Sequence, residues 1–338
     1  MNARIEAFSS VSTALALCSD RELAALVDAA KPIGAGIGGP TALLEVDGNK
    51  VFVKRLPLTD RDLRPGDAHS TANLFDLPTF CHHPVAGPGF GAWRELAVHT
   101  MTTNWVLTGE YEVFPLTYHW RVLPHHGQSL PEELADIDAV VAKWGGGPEI
   151  RARLEGVRDS TASVAVFLEY FPHNLHNWLG ERIEARDEEA ERLCVRIEQQ
   201  ILEGTRFMND RGLLHFDAHF ENLLTDGERL YFADYGLAIS DRFDLAEDEA
   251  AFLAEHQDYD YRYSLTHLTI WLVTALYGHR GEERMAFLRA CVQGERPTGI
   301  PTRIADIIVR YAPIALVNCE FYRQMAQQST QTPYPAMP

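Results

Sequence analysis

Basic residues, cysteines and long apolar runs are scarce in this sequence of 338 residues. The five cysteines are odd in number and widely spaced, without a Cys-x-x-Cys pair, which argues against a disulfide framework or a zinc ribbon and fits a reducing cytoplasm. The longest apolar stretch, residues 270–277, falls well short of the ~20 residues that a membrane helix needs. The N-terminus is also not expected to be a secretion signal, because Glu6 stands where such a signal has positive charge, and serines and threonines break the apolar stretch. These absences predict a cytoplasmic protein without a membrane partner.

Acidic residues outnumber basic ones, with 48 Asp and Glu against 30 Lys and Arg and a formal net charge of −18. A nucleic-acid partner is therefore not expected, because phosphate binding needs clustered lysines and arginines. Hydrophobic residues make up 46% and charged residues 23% of the chain, which is ordinary for a globular protein with a buried core. The negative charge permits a cationic substrate, although solubility alone also explains it.

The pattern of apolar residues changes along the chain. Stretches at 41–46 and 51–55, joined by Asp47-Gly48-Asn49-Lys50, predict a β-hairpin, and further strands are predicted at 114–123 and 164–169. Beyond residue 172 the periodicity is mostly helical, apart from strand-like pieces near 223–224 and 230–233. The expected helices are 21–30, 93–107, 184–209, 245–256, 262–278, 282–293, 302–312 and 314–327.

This change predicts an α+β fold with two lobes. Residues 1–170 are expected to form an N-terminal lobe with an antiparallel sheet and a helix, and residues 171–338 a mostly helical C-terminal lobe. Residues 56–92 are rich in Pro, Gly, Asp and His, which predicts a partly ordered insertion in the first lobe. The polar tail from about residue 327 is expected to fray.

Two segments near the N-terminus have features of a nucleotide site. Residues 34–39 read Gly-Ala-Gly-Ile-Gly-Gly and lead into the hairpin, and such glycines let a backbone approach phosphate oxygens, although an ordinary flexible turn also fits. Lys54 ends an apolar strand and needs a counter-anion, because an unpaired buried ammonium is costly. Nucleotide phosphates would serve, and so would Glu95 on the predicted helix 93–107. The alternative for Glu95 is a solvated helix charge.

Two later segments carry acids and an amide at fixed spacing. Residues 213–224 read Leu-Leu-His-Phe-Asp-Ala-His-Phe-Glu-Asn-Leu-Leu, a polar loop between apolar dipeptides. In this loop Asp217 can accept a proton from a hydroxyl group, and Asn222 offers a neutral oxygen to Mg²⁺. Residues 232–236 read Phe-Ala-Asp-Tyr-Gly and place Asp234 at the end of a predicted strand. A carboxylate there would bind a metal that bridges nucleotide phosphates.

In order and spacing, these two segments resemble the catalytic loop and the Asp-Phe-Gly segment of the protein-kinase-like superfamily. With the glycines and Lys54, the resemblance extends over roughly residues 33–236. It implies a bilobal protein-kinase-like fold that uses ATP and Mg²⁺. The C-terminal hundred residues carry no motif of the family, although their helical pattern suits its larger lobe.

The resemblance also implies roles for the N-terminal residues. Gly34, Gly36 and Gly39 would cover the ATP phosphates, and Lys54 would contact the α and β phosphates while pairing with Glu95. These expectations come from the family pattern and not from the spacing alone.

The same resemblance implies roles for residues of the interlobe connection and the catalytic loop. The segment 167–171 looks like the hinge, where the backbone of Glu169 and Phe171 would hydrogen-bond adenine. Asp217 would be the catalytic base, and Asn222 and Asp234 would hold Mg²⁺.

Departures from the protein-kinase pattern bear on the acceptor. Phe216 occupies the position of the arginine that usually receives a phosphorylated activation loop, and His219 that of the catalytic-loop lysine. The Asp-x-His arrangement is similar to that of the aminoglycoside phosphotransferase and choline kinase branch, which makes His219 a candidate catalytic residue. Glu221-Asn222 resembles protein kinases instead, but no Ala-Pro-Glu follows Gly236.

Acidic residues are frequent between positions 241 and 260. They suit a polycationic acceptor such as an aminoglycoside, or simply form a solvated helix face.

Three interpretations of the function stay open. The first is an ATP- and Mg²⁺-dependent phosphotransferase that acts on a hydroxyl of a small molecule of the antibiotic or natural-product type. The second is a Ser/Thr kinase for a protein or peptide. The third is a nucleotide-binding kinase-like module without activity, because one fold hosts many functions. The acceptor, the choice between ATP and GTP and the oligomeric state do not follow from the sequence.

Overall fold

The computed structural model of the chain describes residues 2–36, 39–85, 87–124 and 130–336. These residues form an α+β protein, as the sequence predicts. The chain divides into two compact units, one of Met1–Tyr170 with Asp234–Ala251 and one of Phe171–Ala233 with Phe252–Pro338. Within the described ranges, no helix has both the length and the apolar character required to cross a bilayer.

A five-stranded antiparallel sheet organises the first unit. Its strands are β1 (Lys31–Gly36), β2 (Gly39–Val46), β3 (Asn49–Leu58), β4 (Thr117–Pro124) and β5 (Ala162–Glu169), in the order β1-β2-β3-β5-β4. The predicted hairpin is confirmed, because Asp47 and Gly48 join β2 to β3 with φ angles of 47° and 74°. Two consecutive residues with positive φ give the tight turn whose twist matches that of paired strands.

Helices cover much of the rest of this unit. They are α1 (Asn2–Leu17), α2 (Asp20–Ala29), α3 (Ala92–Leu107), α4 (Glu132–Ala135), α5 (Ile137–Lys143) and α6 (Pro148–Arg158), with a 3₁₀ turn at Thr79–His82. The predicted α2 and α3 are confirmed, and α2 begins at a capping box of Ser19 and Glu22. Helix α1 is not expected from the sequence, because serines and threonines interrupt its apolar positions, of which Val11 and Leu15 are buried.

The segment 56–92 differs most from expectation. Strand β3 continues to Leu58, and much of the remainder builds an apolar core instead of a partly ordered insertion. Its apolar residues lie irregularly between prolines and glycines, so they have no period that a sequence pattern can show. The core contains Leu74, Phe75, Leu77, Cys81 and Phe90 from this segment, and Leu130, Leu134, Val140, Val141, Trp144, Ile150 and Leu154 from the chain that includes α4–α6.

The second unit has a small sheet and long helices. Its three-stranded sheet has the order β6-β8-β9. The bounds of the remaining elements are β6 (His173–Asn174), α7 (Leu175–Ile183), α8 (Glu188–Asn209), β7 (Leu213–Leu214), β8 (Leu223–Thr225), β9 (Leu230–Phe232), α10 (Tyr259–Tyr277), α11 (Gly281–Val292) and α12 (Thr302–Gln327). Between β9 and α10 lie β10 (Ile239–Ser240), which belongs to the first unit, and α9 (Glu247–Glu255).

Helix α12 corrects the expectation of two helices at 302–312 and 314–327. Pro313 lies inside one continuous helix, although an interior proline costs roughly 3 kcal/mol through a lost hydrogen bond and a clash. The residues on both sides of the proline, Ala312 and Ile314, are buried, and α12 packs against α10 and α11. Tertiary packing therefore outweighs the local cost.

The tail after α12 is also more ordered than expected. The Tyr334 ring stacks on that of His256 at 4.4 Å between centroids, and the Arg262 guanidinium lies over the same tyrosine. Arg262 also donates a hydrogen bond to the Pro335 carbonyl. These contacts fix the described part of the tail on α10 and on the chain before it, so the expectation that it frays is wrong for these residues.

Candidate active site

Lys54 forms the centre of a buried ion cluster in the first unit. It lies on β3, which pairs with β2 and β5, and only 5% of the residue is exposed. Its Nζ donates to Glu95 Oε1 at 2.7 Å and to Asp234 Oδ1 at 2.8 Å. Burial alone would lower the pKa of Lys54, but the charges of Asp234 and Glu95 outweigh it and raise the pKa above its ordinary value. The ammonium is therefore permanently charged.

Glu95 lies in the first turn of α3 and is buried. Trp93 and Leu96 of the same helix pack on the apolar face of β3 and β5. The structure therefore brings Lys54 and Glu95 together across 41 residues of chain, as the sequence suggests. A further buried residue, His99, has its Nε2 3.7 Å from Glu95 Oε1 and is not expected from the sequence.

Asp234 holds an unusual backbone conformation. Its φ is +65°, a left-handed value that a non-glycine residue adopts at a cost and that its surroundings must maintain. The next residue, Tyr235, is buried against helix α3. Its ring packs edge-on against His99, and its hydroxyl forms a hydrogen bond with Thr102. The Asp234 side chain is 44% exposed, so the cluster presents one carboxylate to solvent. Sequence reasoning assigned Asp234 to metal but missed its bond to Lys54.

In the second unit, three side chains surround the Asp217 carboxylate. Asn222 Nδ2 donates to Asp217 Oδ2 at 3.1 Å and to its backbone oxygen at 3.0 Å. Tyr263 donates its hydroxyl to Oδ1 at 3.3 Å, and His219 Nε2 lies 3.6 Å from the same oxygen. The structure thus groups the predicted Asp217, His219 and Asn222. Tyr263 was missed, because nothing in its local pattern separates it from the other tyrosines of α10.

Asp260, also on α10, fixes the backbone of this loop. Its carboxylate accepts the N–H groups of His215 at 2.6 Å and Phe216 at 2.9 Å. Burial raises the pKa of Asp260 to about 6, and the two hydrogen bonds oppose that rise. Phe216 has a φ of +64°, a strained value for a non-glycine residue, and the buried Asp260 side chain holds it there. In the sequence Asp260 is indistinguishable from its acidic neighbours.

His215 connects the loop to the end of β9. Its Nδ1 accepts the backbone N–H of Asp217, and its Nε2 lies 3.0 Å from the Ala233 carbonyl oxygen. Because a carbonyl only accepts, Nε2 must carry the proton and His215 is a neutral tautomer. Ala233 in turn donates its N–H to the Asn222 carbonyl, and the chain continues directly into Asp234.

Phe216 is a core residue. It is fully buried, and its ring stacks on Tyr259 at 4.1 Å and on Phe252 at 5.4 Å between centroids. The position that carries an arginine in the protein-kinase pattern therefore has an apolar packing role in this chain.

The predicted hinge segment is partly occupied by other contacts. The Glu169 side chain accepts two hydrogen bonds from Arg4 on α1, at 2.8 and 2.7 Å, and one from the Leu116 N–H. The backbone N–H of Glu169 donates to the Leu116 carbonyl, so it is not open to adenine. Phe171 begins the second unit, and its ring lies 4.0 Å from that of Tyr231.

The glycine segment forms the end of the β1–β2 hairpin. Gly36 pairs with Gly39 across the two strands, and Gly34 accepts a hydrogen bond from the Thr41 hydroxyl. The tip of the segment, residues 37 and 38, lies outside the described residues. Gly34 itself does not use the positive φ that glycine permits.

The acidic run between 241 and 260 does not act as one surface. Glu249 and Asp260 are fully buried, the first in an ion pair with Arg94 and the second against the backbone N–H of His215. Neither is available to a cationic substrate. The acidic residues that remain exposed are Asp241, Asp244, Glu247, Asp248 and Glu255.

Two of the predicted residues, one in each unit, offer an oxygen of the kind that Mg²⁺ accepts. Among the described residues, no group of three or more His, Cys, Asp or Glu side chains is arranged to hold a metal ion. Mg²⁺ instead takes one or two protein oxygens and completes its shell with phosphate and water. The Asn222 amide nitrogen is committed to Asp217, which leaves its oxygen for a cation, and Asp234 offers a partly exposed carboxylate.

Comparison with known proteins gives a partial similarity. No family model matches the chain. It is 36% identical over 91 residues to a probable serine/threonine-protein kinase of Dictyostelium discoideum, a match that covers 27% of this chain and 17% of that protein. This similarity supports a kinase-like relationship, and the placement in the aminoglycoside phosphotransferase branch stays a prediction.

Proposed function

We propose that the chain is an ATP- and Mg²⁺-dependent phosphotransferase that moves the γ-phosphate to a hydroxyl group. The observation that carries this proposal is the buried Lys54 ammonium, paired with Glu95 and Asp234. A fixed, charged ammonium beside a partly exposed carboxylate suits a nucleotide with its metal ion. The ammonium attracts the phosphates, and the carboxylate attracts the cation bound to them. The partial similarity to a kinase is consistent with it.

In this proposal the ion cluster binds the nucleotide. Lys54 would bind the α and β phosphates, and Glu95 would keep its ammonium in place. Gly34, Gly36 and Gly39 would cover the phosphates with backbone, and the carbonyl of Glu169 and the backbone of Phe171 would serve adenine. Asn222 and Asp234 would hold Mg²⁺, which when bound screens the phosphate charge.

The loop around Asp217 would carry out the proton transfer. Asn222 and Tyr263 hold its carboxylate in one orientation, so that it can align the acceptor hydroxyl. The hydroxyl oxygen forms the new bond to the γ-phosphorus, the bond from that phosphorus to the ADP oxygen breaks, and Asp217 takes the hydroxyl proton. His219, near the same carboxylate, would help to place the acceptor.

For the acceptor we favour a small hydroxylated molecule, and among such molecules one that carries a positive charge. Support comes from Phe216, which is buried among aromatic rings and so provides no arginine for a phosphorylated segment. The acidic residues that remain exposed between 241 and 255 suit a positive charge.

A protein or peptide acceptor is the alternative. It is favoured by the similarity to a probable serine/threonine-protein kinase and by the Glu221-Asn222 pair in the loop. A nucleotide-binding module without activity is the third candidate, which the same assay tests.

Transfer of label from [γ-³²P]ATP with Mg²⁺ separates these candidates. The protein is incubated alone, with a generic protein acceptor, and with a pooled library of hydroxylated and cationic small molecules. We expect label in the small-molecule fraction that disappears in Asp217→Asn. Label on protein alone would favour the alternative acceptor. Binding of ATP without transfer to any of the three would favour the inactive module.

A further inference from the structure

We propose that four residues of the first unit form a clamp that positions Asp234. The clamp consists of Thr71, His82, Phe90 and Arg94, and it holds the segment 237–249 that follows Asp234 in the chain. The inference rests on the proposed function, because it concerns the residue that would bind the metal. It assigns a positioning role to part of the 56–92 segment, for which the sequence offers no function.

His82 makes the first contact. Its ring is fully buried and stacks on Phe90, with 3.8 Å between ring centroids and 12° between planes. Its Nδ1 lies 2.9 Å from the Leu237 carbonyl oxygen, and because a carbonyl only accepts, His82 donates this hydrogen bond. Leu237 is three residues after Asp234, so the bond anchors the chain close to the site.

Arg94 makes the second contact, at the far end of the segment. Its guanidinium donates to both carboxylate oxygens of Glu249, at 2.7 and 3.1 Å, and both side chains are buried. The same guanidinium lies over the rings of Phe90 and Phe243. A bidentate pair of this kind fixes orientation as well as distance. Arg94 is one residue before Glu95, so α3 holds both Lys54 and the segment.

Thr71 joins the two contacts. Its hydroxyl accepts the backbone N–H of Asp244 at 2.9 Å, and its carbonyl accepts a hydrogen bond from Arg94 Nε at 2.7 Å. The segment is thus attached at Leu237, Asp244 and Glu249.

The attachment matters because of the backbone at Asp234. A non-glycine residue with a φ of +65° relaxes to another conformation unless both flanks are held. Before Asp234, Ala233 donates its N–H to the Asn222 carbonyl and accepts a hydrogen bond from His215. After Asp234, the packing of Tyr235 against α3 and the bond from His82 to Leu237 hold the chain. Because Phe216 provides no arginine for a phosphorylated segment, the clamp would supply this order permanently. Asp234 would then be in place without phosphorylation of 237–249.

Two variants and a matched control test the clamp. His82→Phe keeps the stacked ring and removes the donor to Leu237, while Thr71→Val removes the acceptor for Asp244 at a more exposed position. Ser70→Ala is the control, because this neighbouring hydroxyl accepts the local N–H of Ala72. The measurements are backbone hydrogen exchange of residues 238–249 and the Mg²⁺ concentration that gives half-maximal ATP binding.

We expect both variants to raise exchange in this segment and the required Mg²⁺ concentration about three- to tenfold, the effect of one lost hydrogen bond. Ser70→Ala should match the wild type, and circular dichroism should show all three folded. Wild-type values in both variants would overturn the clamp while leaving the proposed function intact. A wild-type chain that binds no ATP with Mg²⁺ would overturn the proposed function and the role of the clamp with it.

Discussion

Lys54 and Asp234 are 180 residues apart in the chain, and their side chains form an ion pair with 2.8 Å between Nζ and Oδ1. The same ammonium bonds Glu95, so β3, α3 and the chain after β9 meet in one cluster of the first unit. Lys54 Nζ contacts two carboxylates at once, so its position between them matters as much as its charge.

Lys54→Arg should impair phosphate transfer although the charge is kept. A guanidinium is a wide, forked donor, and the buried space between Glu95 and Asp234 fits a compact ammonium. We expect turnover to fall at least about tenfold. Lys50→Arg is the matched control, because this lysine lies on the same strand but is exposed. Equal losses in the two variants would contradict a special role of Lys54.

Asp260→Asn should change how stability depends on pH. Burial raises the folded-state pKa to about 6, above the usual value near 3.8. The contribution of this carboxyl to stability is therefore fully present below pH 3.8 and is lost as the pH rises through 6. Between pH 4.5 and 7.5, the wild type should lose about 2 kcal/mol of unfolding free energy relative to Asp260→Asn. Urea denaturation measures this, and parallel curves would contradict it.

Gly204→Ala should destabilise the second unit. A Cβ at Gly204 on α8 would lie 2.2 Å from a ring carbon of Phe232 on β9, which is too close for any contact. Forced repacking of this kind costs about 1–3 kcal/mol. Gly180→Ala is the control, because its nearest neighbour, a Trp271 ring carbon, is 3.9 Å away and alanine favours the helix. Urea unfolding should show a loss for the first variant only.

The sequence predicted features that depend on neighbouring residues. The Asp47-Gly48 hairpin and helix α3 follow from local turn chemistry and periodicity, and the contact of Lys54 with Glu95 follows from the need of a buried charge for a partner. The His-x-Asp-x₄-Asn spacing likewise identified Asp217 and Asn222, which are hydrogen-bonded in the fold.

Features that depend on distant residues could not be predicted. The apolar residues of 56–92 acquire their burial from α4–α6, far along the chain. Asp260 and Glu249 look like members of an acidic surface run, and only the fold shows that one holds the loop at Phe216 and the other pairs with Arg94. Pro313 predicts a break that the packing of α12 overrides.

The most direct test of the account is the dependence of phosphate transfer on Asp217. Label transfer from [γ-³²P]ATP with Mg²⁺ is measured for the wild type, for Asp217→Ala and Asp217→Asn, and for Asp210→Asn, an exposed control that changes the charge in the same way. We predict that both Asp217 variants lower kcat by roughly 10²–10⁴, the usual range for a positioned base, while they keep the fold and the ATP binding of the wild type. Asp210→Asn should keep the wild-type kcat. Full activity in the Asp217 variants would contradict the assignment.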